Sequence, residues 1–331
     1  MRNPQYSKRK SKGRAAIFSE AGFTLIEMMS AFVILIIAMT AAYATFEFQH
    51  ASFTVQNRVA ETQQNLRSAM EMLSRDIMLA GYGIPAAVNL PAGLLPSGDN
   101  TIRTIDPLNS TTTADQIVLL YTYDMDANLP PTTLSANMGA YNNTISVTST
   151  NGFANGDYII VTNGTSADLF QITAAITDNT TLPHNTSGVN ALASHAAFPG
   201  YTVGATVSKA RFVRYFIDTT DPAHPTLMLD KMVAGGQPQP LADDIEDMQF
   251  QYGLDTSSPA DFIVDTTGVN SPNAAQIPQI RQVRVMLSAR TRMPEKKWQE
   301  VRPAMGDRAA GAAADGYKRR TIDVAIDLRN P

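Results

Sequence analysis

The 331-residue chain contains no cysteine. Disulfides, thiolate metal sites and cysteine nucleophiles are therefore excluded, although the compartment is not identified by that absence. Catalytic signatures are also missing. There is no G-x-S-x-G, no phosphate-binding P-loop and no dinucleotide fingerprint after a strand. The four histidines, His50, His184, His195 and His224, show no metal-ligand spacing, and three sit in loop-like contexts near proline or glycine. No cofactor, no metal and no enzymatic activity are expected. Basic charge is scarce as well, with Lys+Arg 26 against Asp+Glu 30 and a net charge of −4. Setting aside residues 1–22, which hold six bases and one acid, leaves 20 bases against 29 acids, or −9. Nonspecific nucleic-acid binding is not expected of such a surface.

Two further absences are local. From Phe23 to Phe46 the only charge is Glu27, and from Thr24 to Ala80 neither proline nor glycine occurs. An apolar stretch of about 20 residues spans a bilayer as a helix. It follows a basic leader carrying Arg2, Lys8, Arg9, Lys10, Lys12 and Arg14, with Glu20 the single acid. The positive-inside rule then places the N-terminus in the cytoplasm and the large C-terminal part outside. A secretory signal peptide is cut after its apolar region. Here the plausible cut, Gly22/Phe23, precedes it, so processing would retain the membrane helix. An uncleaved anchor whose glycine and glutamate are accidental is the simpler alternative. It must still account for a carboxylate inside an apolar helix, which costs a few kcal/mol and usually has a partner.

Helical periodicity continues beyond the membrane segment. Val55, Val59, Leu66, Met70, Leu73 and Ile77 form one stripe, and Gly81-Tyr82-Gly83 with Pro85 closes it. Fifty-seven residues, Thr24 to Ala80, make a helix of roughly 85 Å. Residues Ile84 to about Ala114 read as loop. Strands are expected at Gln116–Tyr123, Thr144–Thr148, Asp157–Thr162 and Leu169–Ile176, then in a hairpin of Arg211–Ile217 with Thr226–Leu229. Ile245–Tyr252, Gln282–Ala289 and Thr321–Leu328 complete an antiparallel set, with a mobile charged loop at Thr291–Lys318. There is no internal repeat.

The order of basic leader, Gly22, Phe23, Glu27 and apolar helix resembles the class III signal of type IV prepilins and of type II secretion pseudopilins. Three later segments narrow the resemblance to PilW-type minor pilins of the type IV pilus. They are Leu73–Gly83, Leu241–Gly253 and the closing Ile326–Asn330. Residues 86–200 carry little resemblance and read as a variable elaboration.

The resemblance implies an α+β pilin-like fold, with a long N-terminal helix packed on an antiparallel β-rich domain. It divides the chain into a cleaved leader (1–22), a transmembrane half-helix (23–46), an amphipathic half-helix (47–83) and a β-rich domain (84–331). It also implies that prepilin peptidase, a membrane aspartic protease, cuts between Gly22 and Phe23 and methylates the new amine of Phe23. Glu27 would pair with that amine on a neighbouring subunit. The implied function is a structural one, pilus assembly within a priming or capping tip complex. Implied partners are the peptidase, other minor pilins, the major pilin, the inner-membrane assembly platform and lipid, with a tip adhesin a further candidate. The implied location is the inner membrane, with the C-terminal domain periplasmic, and then the cell-surface pilus. A J-type pseudopilin of type II secretion is the alternative within the superfamily; a pilus-displayed adhesin or DNA-binding module is the alternative from another class.

Several charged groups stay open on sequence grounds. Arg75 and Asp76 could be a buried ion pair or solvated charges. Asp124-x-Asp126-x-Asn128 resembles the start of a calcium loop but has Leu129 and Ser135 where glycine and glutamate belong, so it reads as a turn. The run Asp243-Asp244-Glu246-Asp247 reads as the solvated start of a strand. Lys209, Arg211 and Arg214 form a small basic cluster for which pairing with Asp230 is as good an account as DNA binding.

Overall fold

The computed structural model describes residues 22–84, 88–89, 101–102, 104–122, 131–191, 195, 198–232 and 236–329. The calcium-like segment 124–128 and the leader up to residue 21 lie outside them. Two compact units divide the chain, Met1–Gln56 and Asn57–Pro331.

One α-helix, α1, runs over Leu25–Leu79 without a break, as the absence of proline and glycine allows. Its first part is apolar and exposed on every side, including Phe32, Ile34, Ile36, Ile37 and Phe46. A helix apolar all round needs an apolar surrounding, and this is one helix long and apolar enough to cross a membrane. From residue 57 the helix becomes one-sided. Leu66, Ala69, Met70, Leu73 and Ile77 are buried, while Glu61, Arg67 and Glu71 face outward. Each fully buried aliphatic side chain of this stripe contributes about 1.5–3 kcal/mol.

The stripe packs on antiparallel sheet. A four-stranded sheet has the order Thr266–Val269, Ile245–Leu254, Ile280–Arg290, Arg319–Asp327. Val283, Val285, Leu287, Met248, Phe250 and Tyr252 from its inner face share one core with the helix. A larger sheet is organised by the 13-residue strand Thr206–Asp218, nearly twice the length expected from sequence. Its first half pairs with Tyr158–Thr162 and its second half with Gln116–Tyr121 and Thr226–Asp230. The strand carries apolar residues on both faces, since Val213 and Tyr215 enter the helix core while Phe212 enters a second core with Val118, Leu120 and Ile160. That double burial is why it continues past Arg211. A third core, including Phe170, Ile159 and Tyr201, lies within the middle region. Among the described residues, pairing is antiparallel except where Val88–Asn89 meets Ala167–Asp168.

Some expected boundaries move. Ile105–Leu108, read as loop, is a strand paired with Gln116–Tyr121, because Ile105 is buried in the helix core. Proline at position 107 hid it. Thr144–Thr148 shortens to the two residues Ile145–Ser146, and Leu169–Ile176 becomes Ala167–Gln171.

The helix end is stitched to the sheet. Gly81 N–H donates to the Leu120 carbonyl (2.9 Å), and the N–H and hydroxyl of Thr122 both donate to the Tyr82 carbonyl. Gly83 has φ +71°, and a Cβ there would fall 1.9 Å from the Thr122 hydroxyl, so only glycine fits. One turn earlier Asp76, 4% exposed, accepts a 2.6 Å hydrogen bond from the Tyr215 hydroxyl and lies 3.5 Å from the Arg75 guanidinium. Asp76 is thus buried and paired, while Arg75 stays half in solvent. Burial first, and the Asp76 carboxylate second, push the Tyr215 hydroxyl far up, so it remains a donor.

Tyr215→Phe should retain the ring packing and lose the O–H that donates to the buried carboxylate. We expect a loss of about 1–3 kcal/mol in stability, read from chemical denaturation of the detergent-solubilised chain. Unchanged stability would show that Asp76 is satisfied without Tyr215.

Candidate assembly site

The residues singled out at the N-terminus come together in one turn. Thr24 precedes the first helical residue, and Glu27 lies three residues on. The Thr24 N–H and hydroxyl both donate to Glu27 Oε2 at 2.8 Å, and Glu27 N–H returns a 3.3 Å bond to the Thr24 hydroxyl. This reciprocal pattern is a capping box, which satisfies two of the helix's unpaired donors. A carboxylate in the first turn also complements the helix dipole. The T-L-I-E spelling of the box is present in the sequence, at the capping-box spacing of three residues.

Both bonds to the carboxylate fall on Oε2. Oε1 makes no hydrogen bond among the described residues. Phe23 is 85% exposed beside it. A Cβ on Gly22 would meet nothing within 4 Å among the described residues.

The acidic run near the sheet is not solvated, contrary to expectation. Only Asp243 is exposed. Asp247 is wholly buried and is gripped by Arg302 (2.6 Å) and Arg308 (2.8 Å), with Gln249 donating at 3.1 Å. Glu246 pairs with Arg319 at 2.7 Å, and Arg319 also holds Asp315. Asp244, at φ +60°, turns the chain between two strands and contacts His224 at 3.0 Å. The partners Arg302, Arg308 and Asp315 come from the segment expected to be a mobile loop. That segment is instead tied to the sheet by buried charges, and Glu300–Val301 pairs with Ala314–Asp315 inside it. Sequence separation of about 55 residues concealed these pairs.

Asp115 belongs to the same neighbourhood. It accepts N–H bonds from Ser110 (2.7 Å) and Phe250 (2.9 Å). Burial pushes its carboxyl up to about 7; those two hydrogen bonds oppose the shift, and the Asp307 and Asp247 carboxylates add to it.

The remaining groups have structural partners. Lys209 pairs with Asp157 and Arg214 with Asp230, both at 2.9 Å, and Arg214 also stacks on Phe216. His195, loop-like by sequence, is buried against Phe170, with Nδ1 3.1 Å from Asp168, which also accepts from Tyr201 at 2.6 Å.

Two family models match the chain. Residues 17–43 match the prokaryotic N-terminal methylation motif, and residues 214–330 match PilW, the type IV pilus-assembly protein W. The first covers Gly22, Phe23 and Glu27; the second covers most of the helix-packed strands and the Asp247 network. No curated protein matches the chain's sequence. Among solved structures, a type IV-like pilin from Thermus thermophilus aligns over 81% of this chain and 95% of its own, at 10% identity and a TM-score of 0.37.

Because the Asp115 carboxyl binds its proton more tightly in the folded chain than at its ordinary 3.8, acid favours folding through this group. That contribution is full below about 3.8 and is lost as pH rises towards 7. Across this window the Tm of wild type should fall more steeply with rising pH than that of Asp115→Asn, which lacks this titration. Identical pH slopes would overturn the assignment.

Proposed function

We propose that this chain, a PilW-family protein over residues 214–330 with a prepilin methylation motif at its N-terminus, primes or caps the type IV pilus as a minor pilin. The family matches support a pilin role in pilus assembly, and the apolar N-terminal helix supports membrane anchoring. The finer role rests on one observation. The apolar half of α1 is exposed on all sides yet ends at a carboxylate with one oxygen unused. Such a helix is suited to lipid before assembly and to other pilin helices afterwards, without refolding.

In this reading the leader stays in the cytoplasm and the β-rich domain faces the periplasm. Prepilin peptidase removes residues 1–22 and methylates Phe23. Glu27 then has two tasks. Oε2 caps its own helix, while Oε1 receives the Phe23 amine of the next subunit. Two lone charges in an apolar medium are costly, and pairing them offsets much of that cost. Pairing also fixes axial register, since only one offset along the helices brings the groups together. The membrane platform lifts the subunit into a complex with other minor pilins, on which the major pilin builds.

An in-frame deletion should abolish sheared surface filaments and leave exoprotein secretion intact. Lost secretion with normal filaments would instead indicate the pseudopilin role. Glu27→Gln separates the two tasks of the residue, because its amide oxygen still accepts from Thr24 but carries no charge. We expect normal processing with filament incorporation as poor as for Glu27→Ala; wild-type incorporation would remove the charge pair. Gly22→Phe should accumulate as the longer precursor on gels. A normally processed product would mean that the peptidase cuts elsewhere.

A further inference from the structure

The strand Arg319–Asp327 forms one edge of the four-stranded sheet, and no strand pairs with its outer side among the described residues. Its hydrogen-bonding direction follows from its inner partner. Leu328 N–H donates to the Arg281 carbonyl, and the register places Gln282 opposite Asp327. Alternation in an antiparallel pair then turns Ile322, Val324 and Ile326 inward in their backbone bonds. Thr321, Asp323 and Ala325 direct N–H and C=O outward. Proteins blunt free edges with bulges, short strands, lysine or proline. The opposite edge, Thr266–Val269, is blunted in this way, being four residues long, with Gly268 at φ +77° and a register shift against its neighbour. The Arg319–Asp327 edge is nine residues long, regular in register and free of lysine and proline, and its charged Arg319, Asp323 and Asp327 are held by Glu246, Arg284 and Gln282 of the same sheet.

An open groove of roughly 700 Å³ lies between this strand and α1. Met70, Met78 and Ile322 line it together with three arginines, Arg67, Arg75 and Arg329, and one acid, Glu71. Arg67 and Arg329 have no acidic partner among the described residues, although the chain beyond residue 22 carries −9. An uncovered strand edge, an apolar slot and unpaired arginines thus coincide on one side of the domain.

We infer that this edge is a strand-addition site for an extended segment of a different pilus subunit, one that is apolar on one face and carries Asp or Glu beside it. The inference rests on the assembly reading. Main-chain bonds to Thr321, Asp323 and Ala325 would supply affinity and register. Apolar side chains on alternate residues would enter the groove, and the carboxylates would meet Arg67 and Arg329.

The test returns the full-length chain to a deletion strain as wild type, Ala325→Pro, Thr321→Pro or the double variant Arg67→Glu/Arg329→Glu. Proline at 325 or 321 removes one outward N–H and no inner bond, so the sheet tolerates it. The expected result is at least tenfold fewer surface filaments for each variant, with membrane levels and detergent-state melting points as in wild type. Wild-type filament numbers with folded Ala325→Pro would overturn the edge site. Should the proline variants melt lower, wild-type filament numbers in the arginine variant would overturn it equally. A homodimer of the solubilised full chain that Ala325→Pro dissociates would assign the edge to a second copy and overturn the heterotypic partner. Filaments in the deletion strain itself would remove the assembly reading, and this inference with it.

Discussion

The bond from the Tyr215 hydroxyl to the buried Asp76 carboxylate holds helix and sheet in one register. Apolar packing alone is non-directional, and a stripe of Leu66, Met70, Leu73 and Ile77 could slide or rotate by part of a turn at modest cost. A buried carboxylate cannot, because an unpaired charge in that core costs several kcal/mol. Asp76 therefore selects one seating of α1 on the Thr206–Asp218 strand. The Gly81 and Gly83 turn then meets Leu120 and Thr122 at the only distance at which a glycine, and no larger residue, fits.

A second constraint acts on the Ile245–Leu254 strand. Asp247 draws in Arg302 and Arg308 from a segment rich in alanine and glycine, and Glu246 holds Arg319, where the next strand begins. That segment has few apolar residues with which to anchor itself. Buried ion pairs take over the task, at a desolvation cost that makes them specific more than strongly stabilising. Within the PilW match the Asp247 and Glu246 partnerships are thus part of the architecture, not surface decoration.

The proposed assembly role would make a different demand on the chain. A helix N-terminus in that role would need to be stable alone in lipid and able to engage a neighbour later. The capping box uses one oxygen of the Glu27 carboxylate, and the other makes no hydrogen bond among the described residues. The β-rich domain shows the same division. Its strands pair with one another, while among the described residues no strand covers the outer side of Arg319–Asp327 and neither Arg67 nor Arg329 beside it has an acidic partner.

The sequence by itself determined the membrane helix, its continuation as an amphipathic face, the Gly22/Phe23/Glu27 motif and the main antiparallel strands. Each of these is a local matter, written as residue type at a period of 3.6 or 2 or at a fixed spacing. Tertiary structure alone decided that Asp76, Asp247 and Glu246 are buried, that His195 is a core residue, and that Ile105–Leu108 is a strand. It also decided that the 291–318 segment is fastened to the sheet. The reason is physical. A charge reads as solvent-facing until its partner is known, and these partners lie from about 50 to about 140 residues away in the chain. No local pattern encodes such a separation; only the folded core, by excluding water, forces the two groups together.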